Sequence, residues 1–344
     1  MRAFFAAVCA SALWALALSV VATPGVGADP LPVPHNFFEG IALETANPGG
    51  SIPGSNDWTC KPTEAHPNPV ILVHGTGANR QTNWATYVPL LKNEGYCVFA
   101  PTYGTRPDAT WPMSAFGALS PLEQSAQELS VFVDEVLAAT GASNVDIVGH
   151  SQGTLMPNYY VKFLGGAAKV DKYVSLAPLW GGAGSFGAGE ITALVEQFGL
   201  KPLQEQTFGR LCASCLDMAP GADFIEKMNE GGSPYAPGVA YTNIATRYDE
   251  LVVPYTSGLV PGPNATNIVV QDRCPQDYSE HAALAASPVA AGYVLNALDP
   301  QYPEPLPCVM VAPFHRYAGG MITCRFGRCS LWCPRQESNL RPRD

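Results

Sequence analysis

Asn144-Val145-Asp146-Ile147-Val148-Gly149-His150-Ser151-Gln152-Gly153-Thr154-Leu155 is the stretch that decides the fold. Val145 to Val148 has the aliphatic composition of a buried strand, and Gln152 to Leu164 can run as a helix. Between them lies a Gly-x-Ser-x-Gly turn. Such a turn is too tight for side chains two positions either side of the serine, which is why Gly149 and Gly153 are required, and it lifts the serine oxygen above the sheet edge. The five-residue pattern alone arises by chance in many chains. Its position between strand and helix makes Ser151 a candidate nucleophile.

Working outward, the same alternation recurs. Val70 to Val73 is a short continuous apolar run of the kind found inside a parallel sheet, and it ends at His74-Gly75-Thr76-Gly77. A helical stretch reaches Tyr96, and Cys97 to Ala100 reads as a strand. Glu123 to Ala139 is an amphipathic helix with Leu129, Phe132, Val133, Val136 and Leu137 at helical spacing. Strands are expected at 172–179, 241–246 and 267–270, and a helix over 282–298. Alternation of this kind predicts an α/β class, a mostly parallel doubly wound sheet with helices on both faces. Trp180 to Gly238 interrupts it with a glycine-rich excursion, suited to a cap over a site, that contains a short helix candidate at Glu190 to Phe198. Residues 29–64, rich in Pro, Gly, Asn and Ser, read as an irregular arm.

Residues 1–28 have a basic start, an apolar middle and a small-residue exit at Val26-Gly27-Ala28, the order of a secretory signal peptide. A membrane anchor is the rival, and Pro24 with the glycines after it favours cleavage. The remainder, 29–313, suits one large catalytic domain with no transmembrane segment. The formal net charge is −10, and no Lys/Arg-rich stripe crosses the body, which argues against a nucleic-acid partner. Cys60, Cys97, Cys212, Cys215, Cys274 and Cys308 form an even set, best read in an exported chain as disulfides, with fifteen connectivities open. Cys212-Ala-Ser-Cys215 is read as a local disulfide, since no second pair completes a zinc site. From 314 to 344 the composition changes: half of the arginines and Cys324, Cys329 and Cys333 crowd into a basic tail. This tail is read as foreign to the domain and without ordered structure, in preference to a zinc knuckle.

For a serine at a strand-to-helix elbow, the partners follow in the chain order Ser, Asp or Glu, His. Only His281 and His315 come after Ser151, and His315 lies in the tail, so His281 is the candidate base. Asp249 directly follows a strand and is the candidate orienting acid, with Glu250 its nearest rival. The backbone N–H groups of Thr76 and Gln152 are the natural oxyanion donors. This chemistry needs no cofactor and no metal.

With these residues in place, the chain resembles the secreted α/β-hydrolase lipases of the class 2 family, and within them the lipase B type. The resemblance rests on Ile71-Leu72-Val73-His74-Gly75-Thr76-Gly77 with Asn83-Trp84, the elbow around Ser151, Tyr248-Asp249-Glu250-Leu251-Val252-Val253-Pro254, and Cys274 ahead of His281. It implies ester hydrolysis on lipid-like substrates, at a lipid–water interface, with Thr76 and Gln152 as oxyanion donors. It also implies the pairings Cys60 with Cys97 and Cys274 with Cys308. A secreted monomeric triacylglycerol lipase or carboxylesterase is the expectation. A polyester or cutin hydrolase is the alternative, and the long 180–238 excursion favours the lipase. A non-catalytic binding module on the same fold would be expected to lack an elbow or triad residue, and all are present. Mass spectrometry of the exported protein should find Asp29 as its first residue; retention of residues 1–28 would contradict the signal-peptide reading.

Overall fold

The computed structural model describes residues 29–183, 211–312, 322–325 and 328–331. The chain divides into two units, residues 1–30 and 31–344. Only Asp29 and Pro30 of the first are described, and every element below belongs to the second. The expected signal peptide, the helix candidate at Glu190 to Phe198 and most of the tail lie outside the described residues.

Six strands form one parallel sheet: β1 (Val70–Val73), β2 (Val98–Phe99), β3 (Val145–His150), β4 (Val170–Leu176), β5 (Ala240–Ala245) and β6 (Ala265–Val269). Their spatial order is β2-β1-β3-β4-β5-β6. The chain therefore runs outward from β1 to β2 and returns on the other side as β3. In open α/β sheets, ligands bind at the carboxyl end of the strands where the winding reverses, here the crevice between His74 at the end of β1 and Ser151 at the end of β3.

All four β1 side chains are buried, and they serve two cores. Ile71 and Val73 pack with Val145 and Ile147 against α3 (Leu122–Thr140) and α4 (Gln152–Phe163), through Leu129, Val133, Leu155 and Met156. Val70 and Leu72 face the opposite way, toward Leu91 of α2 (Tyr87–Asn93) and Val289 and Val294 of α8 (Pro288–Leu298). Burial on both faces explains why β1 reads as an unbroken aliphatic run without alternation, whereas the edge strand β6 keeps polar, exposed positions. Three disulfides close the chain on itself: Cys60–Cys97, Cys212–Cys215 and Cys274–Cys308.

Two elements differ from the sequence reading. The arm expected to be irregular carries a helix, α1 (Glu39–Ala46). Its register is set from outside: a Cβ on Gly40 would lie 2.5 Å from the Gln81 carbonyl oxygen, and Gln81 Nε2 donates to Glu44 Oε2 at 2.6 Å. Periodicity therefore carried no signal for it. The helix expected over 282–298 is broken: a 3-10 turn at Ala283–Ala286 precedes α8. Ser287 Oγ caps α8 by accepting from Val289 N and Ala290 N, at 3.1 and 3.2 Å. Pro288 takes the first helical position, where its missing N–H costs nothing.

Three shorter helices also lie among the described residues: α5 (Ala213–Asp217), α6 (Asp223–Met228) and α7 (Val270–Arg273). Within the tail, read from sequence as lacking order, β7 (Ile322–Arg325) and β8 (Arg328–Leu331) pair antiparallel as a hairpin. Because Leu72 is wholly buried in β1, which is paired on both sides, Leu72→Ala should cost about 2–5 kcal/mol in chemical denaturation; a loss below about 1 kcal/mol would contradict the packing described.

Candidate active site

The elbow forms as its residue types require. Ser151 sits at φ 55° and ψ −124°, in the positive-φ region, between the end of β3 and the start of α4. Non-glycine residues at such dihedrals are held there by their surroundings and cluster at functional sites. What holds Ser151 is close approach of backbone. A Cβ on Gly149 would lie 1.9 Å from the Gly153 carbonyl oxygen, and a Cβ on Gly153 would lie 1.9 Å from that of Val73. Neither position admits a side chain. Ser151 N donates to Leu176 O at 2.9 Å, and its carbonyl accepts from Thr154 N at 2.8 Å and Thr154 Oγ1 at 2.7 Å.

His281 and Asp249, 32 residues apart in sequence, meet in the interior. The ring Nδ1 lies 2.9 and 3.0 Å from the two Asp249 carboxylate oxygens, with side-chain exposures of only 5% and 1%. Asp249 is held in turn, since its Oδ1 accepts from Leu251 N at 2.9 Å and Val252 N at 2.8 Å. A carboxylate on Nδ1 fixes the tautomer that leaves Nε2 free to accept a proton. Nε2 is buried and has no hydrogen-bond partner among the described residues. The His281 ring lies 5.2 Å from that of His150, the neighbour of Ser151. The structure therefore brings Asp249, His281 and the elbow, the candidate acid, base and nucleophile turn, to one rim of the sheet.

Glu250, the rival acid, binds a different atom: its Oε2 accepts from the His281 backbone N–H at 3.1 Å. Asp272 pairs with Arg247, and Asp277 accepts from Ser287 Oγ at 2.6 Å, so both are spent elsewhere.

The candidate oxyanion donors come from two turns. Gln152 opens α4, so its N–H has no carbonyl four residues back within the helix. Around Thr76, Gly77 N donates to Gly117 O and Ala78 N to Gly75 O, leaving the Thr76 N–H out of that pattern. The Thr76 hydroxyl is committed, donating to Gln152 Oε1 at 2.7 Å, while Gln152 Nε2 is buried without a partner among the described residues. Met218 brings its Sδ to 4.0 Å from Thr76 Oγ1.

Sequence reasoning passed over two residues here. Asn83 Oδ1 accepts from Gly75 N at 3.0 Å and lies 3.1 Å from His150 Nδ1, while His150 Nε2 lies 3.0 Å from the carbonyl oxygen of His281. Nothing in their spacing pointed to this link, which closes only in the fold. Burial, the larger cause, and the neighbouring His281 hold the His150 imidazole down to about 3, and burial holds that of His74 down to about 4. His74 is a structural residue of the turn: Nδ1 meets Gly75 O at 2.9 Å and the ring stacks on Tyr103 at 4.4 Å.

A family model described as lipase (class 2) matches residues 67–293. Two proteins named triacylglycerol lipase, from Pseudarthrobacter phenanthrenivorans and Burkholderia plantarii, are each 34% identical over 92 residues, 26% of this chain. That stretch spans only 27% and 24% of their lengths. The crystal structure of Aspergillus fumigatus lipase B superposes with a TM-score of 0.54 at 17% identity, covering 75% of this chain and 56% of that one.

Because both rings stay neutral in the folded protein while an unfolded histidine protonates near 6.5, His74 and His150 take up protons only on unfolding. Their contribution to stability is thus complete above pH 6.5 and is lost as pH falls toward about 4 and 3. NMR titration of the folded protein should show neither ring titrating between pH 8 and pH 5; a midpoint near 6.5 for either would contradict its burial.

Proposed function

Because the chain belongs to the class 2 lipase family, on an α/β-hydrolase fold, we propose that it is an exported serine ester hydrolase acting on lipid-like esters. The observation that carries this is the buried His281–Asp249 pair, whose Nε2 has no partner among the described residues and whose ring lies 5.2 Å from that of His150, the neighbour of the strained serine of the elbow.

The proposed reaction follows from protonation. A serine hydroxyl is a weak nucleophile at neutral pH, so His281 Nε2 takes its proton as Ser151 Oγ attacks the ester carbonyl carbon. Asp249 holds the ring and offsets the charge it gains. The backbone N–H groups of Thr76 and Gln152 stabilise the tetrahedral oxyanion, and loss of one such donor costs on the order of a hundredfold in rate. Collapse expels the alcohol, which takes the proton from His281. Water, deprotonated by the same nitrogen, then cleaves the acyl-enzyme and releases the acid and Ser151.

The lipid-like substrate class draws on the surface beside this site. Residues 113–117 are tied to the Thr76 turn through Asn79 Nδ2 to Ala115 O and Gly77 N to Gly117 O. The same loop exposes Trp111, Met113 and Phe116, apolar area suited to acyl chains. Export fits three disulfides, which persist in oxidising compartments. No helix among the described residues is long and apolar enough to cross a membrane.

A fluorophosphonate probe should label the native protein. Ser151→Ala should abolish labelling and lower ester turnover by at least about 10⁴-fold. Absence of labelling on the folded wild type would sink the proposal, and strict preference for soluble short acyl chains would overturn the lipid-like substrate class.

A further inference from the structure

We propose that His150 is a positioning residue for the base: its Nε2–H donates to the backbone carbonyl of His281 and ties the base-bearing loop directly to the strand that carries Ser151. The inference rests on the proposed roles of Ser151 and His281 and adds a residue to them.

The geometry is specific. His150 ends β3, next to Ser151 in sequence, and it is 4% exposed. Its Nε2 lies 3.0 Å from His281 O. A carbonyl oxygen can only accept, so a hydrogen bond there requires the proton on Nε2. Burial keeps the ring neutral, so that proton is its only N–H. Nδ1 is then an acceptor facing Asn83 at 3.1 Å. Turning the amide would present Asn83 Nδ2, now without a partner among the described residues, to Nδ1, at the expense of the bond from Gly75 N. Either orientation leaves one buried group unmet. The His281 contact is the one that a single N–H serves best, because neither oxygen nor backbone there can be reversed.

Consider what else holds His281. Its amide donates to Glu250 Oε2 and its ring to Asp249. Both restraints come from the loop after β5, two strands away from β3 in the sheet order. His150 supplies the third restraint, on the carbonyl, and it alone comes from the residue adjoining the nucleophile. Removing it leaves base and nucleophile referenced to each other only through the intervening strands. Misplacement of a catalytic group by a fraction of an ångström slows the chemical step more than it weakens binding. The signature is a fall in kcat at nearly constant KM.

Two amide variants separate this role from simple packing. In His150→Gln the side-chain NH2 falls near the Nε2 position and can still donate to His281 O. In His150→Asn it falls near Nδ1, meets Asn83 and stops short of His281. With a soluble ester substrate, His150→Asn should lose about tenfold or more in kcat with KM within about twofold, and His150→Gln should stay within about threefold of wild type. Equal kcat losses in both variants, at matched thermal stability, would overturn the proposal, as would wild-type kcat in His150→Asn. A wild type that neither hydrolyses the ester nor takes the fluorophosphonate probe would instead refute the parent assignment of function. Should His150→Asn fail to fold, His150→Gln against His150→Leu supplies the same comparison, with the loss expected only in His150→Leu.

Discussion

The close approach of three backbones at the elbow is the constraint on which the rest of the structure depends. β3 must stop, reverse and begin α4 within two residues, while the helix start lies against the end of β1. Carbonyl oxygens of Gly153 and Val73 occupy the space where side chains of residues 149 and 153 would sit. Only glycine satisfies both positions, and the serine between them is driven to φ 55°. This strain is useful. It leaves the next N–H, on Gln152, unengaged within the helix, so the turn that holds the proposed nucleophile also holds a proposed donor for the charge that nucleophile would create.

Around the elbow, a buried polar network fixes loops that hydrophobic packing could not position accurately. The aliphatic cores hold the sheet and helices, but His281 and Thr76, the proposed base and oxyanion donor, lie on connections beyond the strand ends. Asp249 is locked by two backbone N–H groups, His281 by its amide, ring and carbonyl, and the Gly75 amide by Asn83. Such groups cost free energy to bury unless paired, and paired they specify one arrangement. Two of the three bonds on His281 come from adjacent residues, Asp249 and Glu250. An acidic dipeptide after β5 thus serves as a clamp on both ring and backbone, with Asp249 on the ring and Glu250 on the amide.

Much of this was legible in the chain. Unbroken aliphatic runs marked β1 and the core of β3, which are buried throughout, and the chain order of Ser, Asp and His left two of six histidines as candidates, of which His315 lies in the tail. The disulfide partners were another matter: spacing left fifteen connectivities open, and family resemblance supplied the two long-range pairs seen here. What stayed hidden was set by tertiary contact. Helix α1 has little amphipathic pattern because one glycine and one glutamate, anchored on Gln81, hold it. The break before α8 did carry a local signal in Ser287-Pro288, a cap followed by a residue suited to the first turn, which an apolar periodicity running through it concealed. His150 had no legible role of its own within the elbow motif, since its partner lies 131 residues further along the chain.

In the proposed reaction, hydroxyl, imidazole and carboxylate work as one unit at this rim, with the two turn amides facing the developing charge. A crystal structure of the protein after reaction with a phosphonate ester tests it most directly. The account predicts phosphorus bonded to Ser151 Oγ, the phosphonyl oxygen within about 3 Å of the Thr76 and Gln152 amide nitrogens, and His281 Nε2 turned toward the adduct. Phosphorus on any other residue, or an imidazole turned away from a Ser151 adduct, would contradict it.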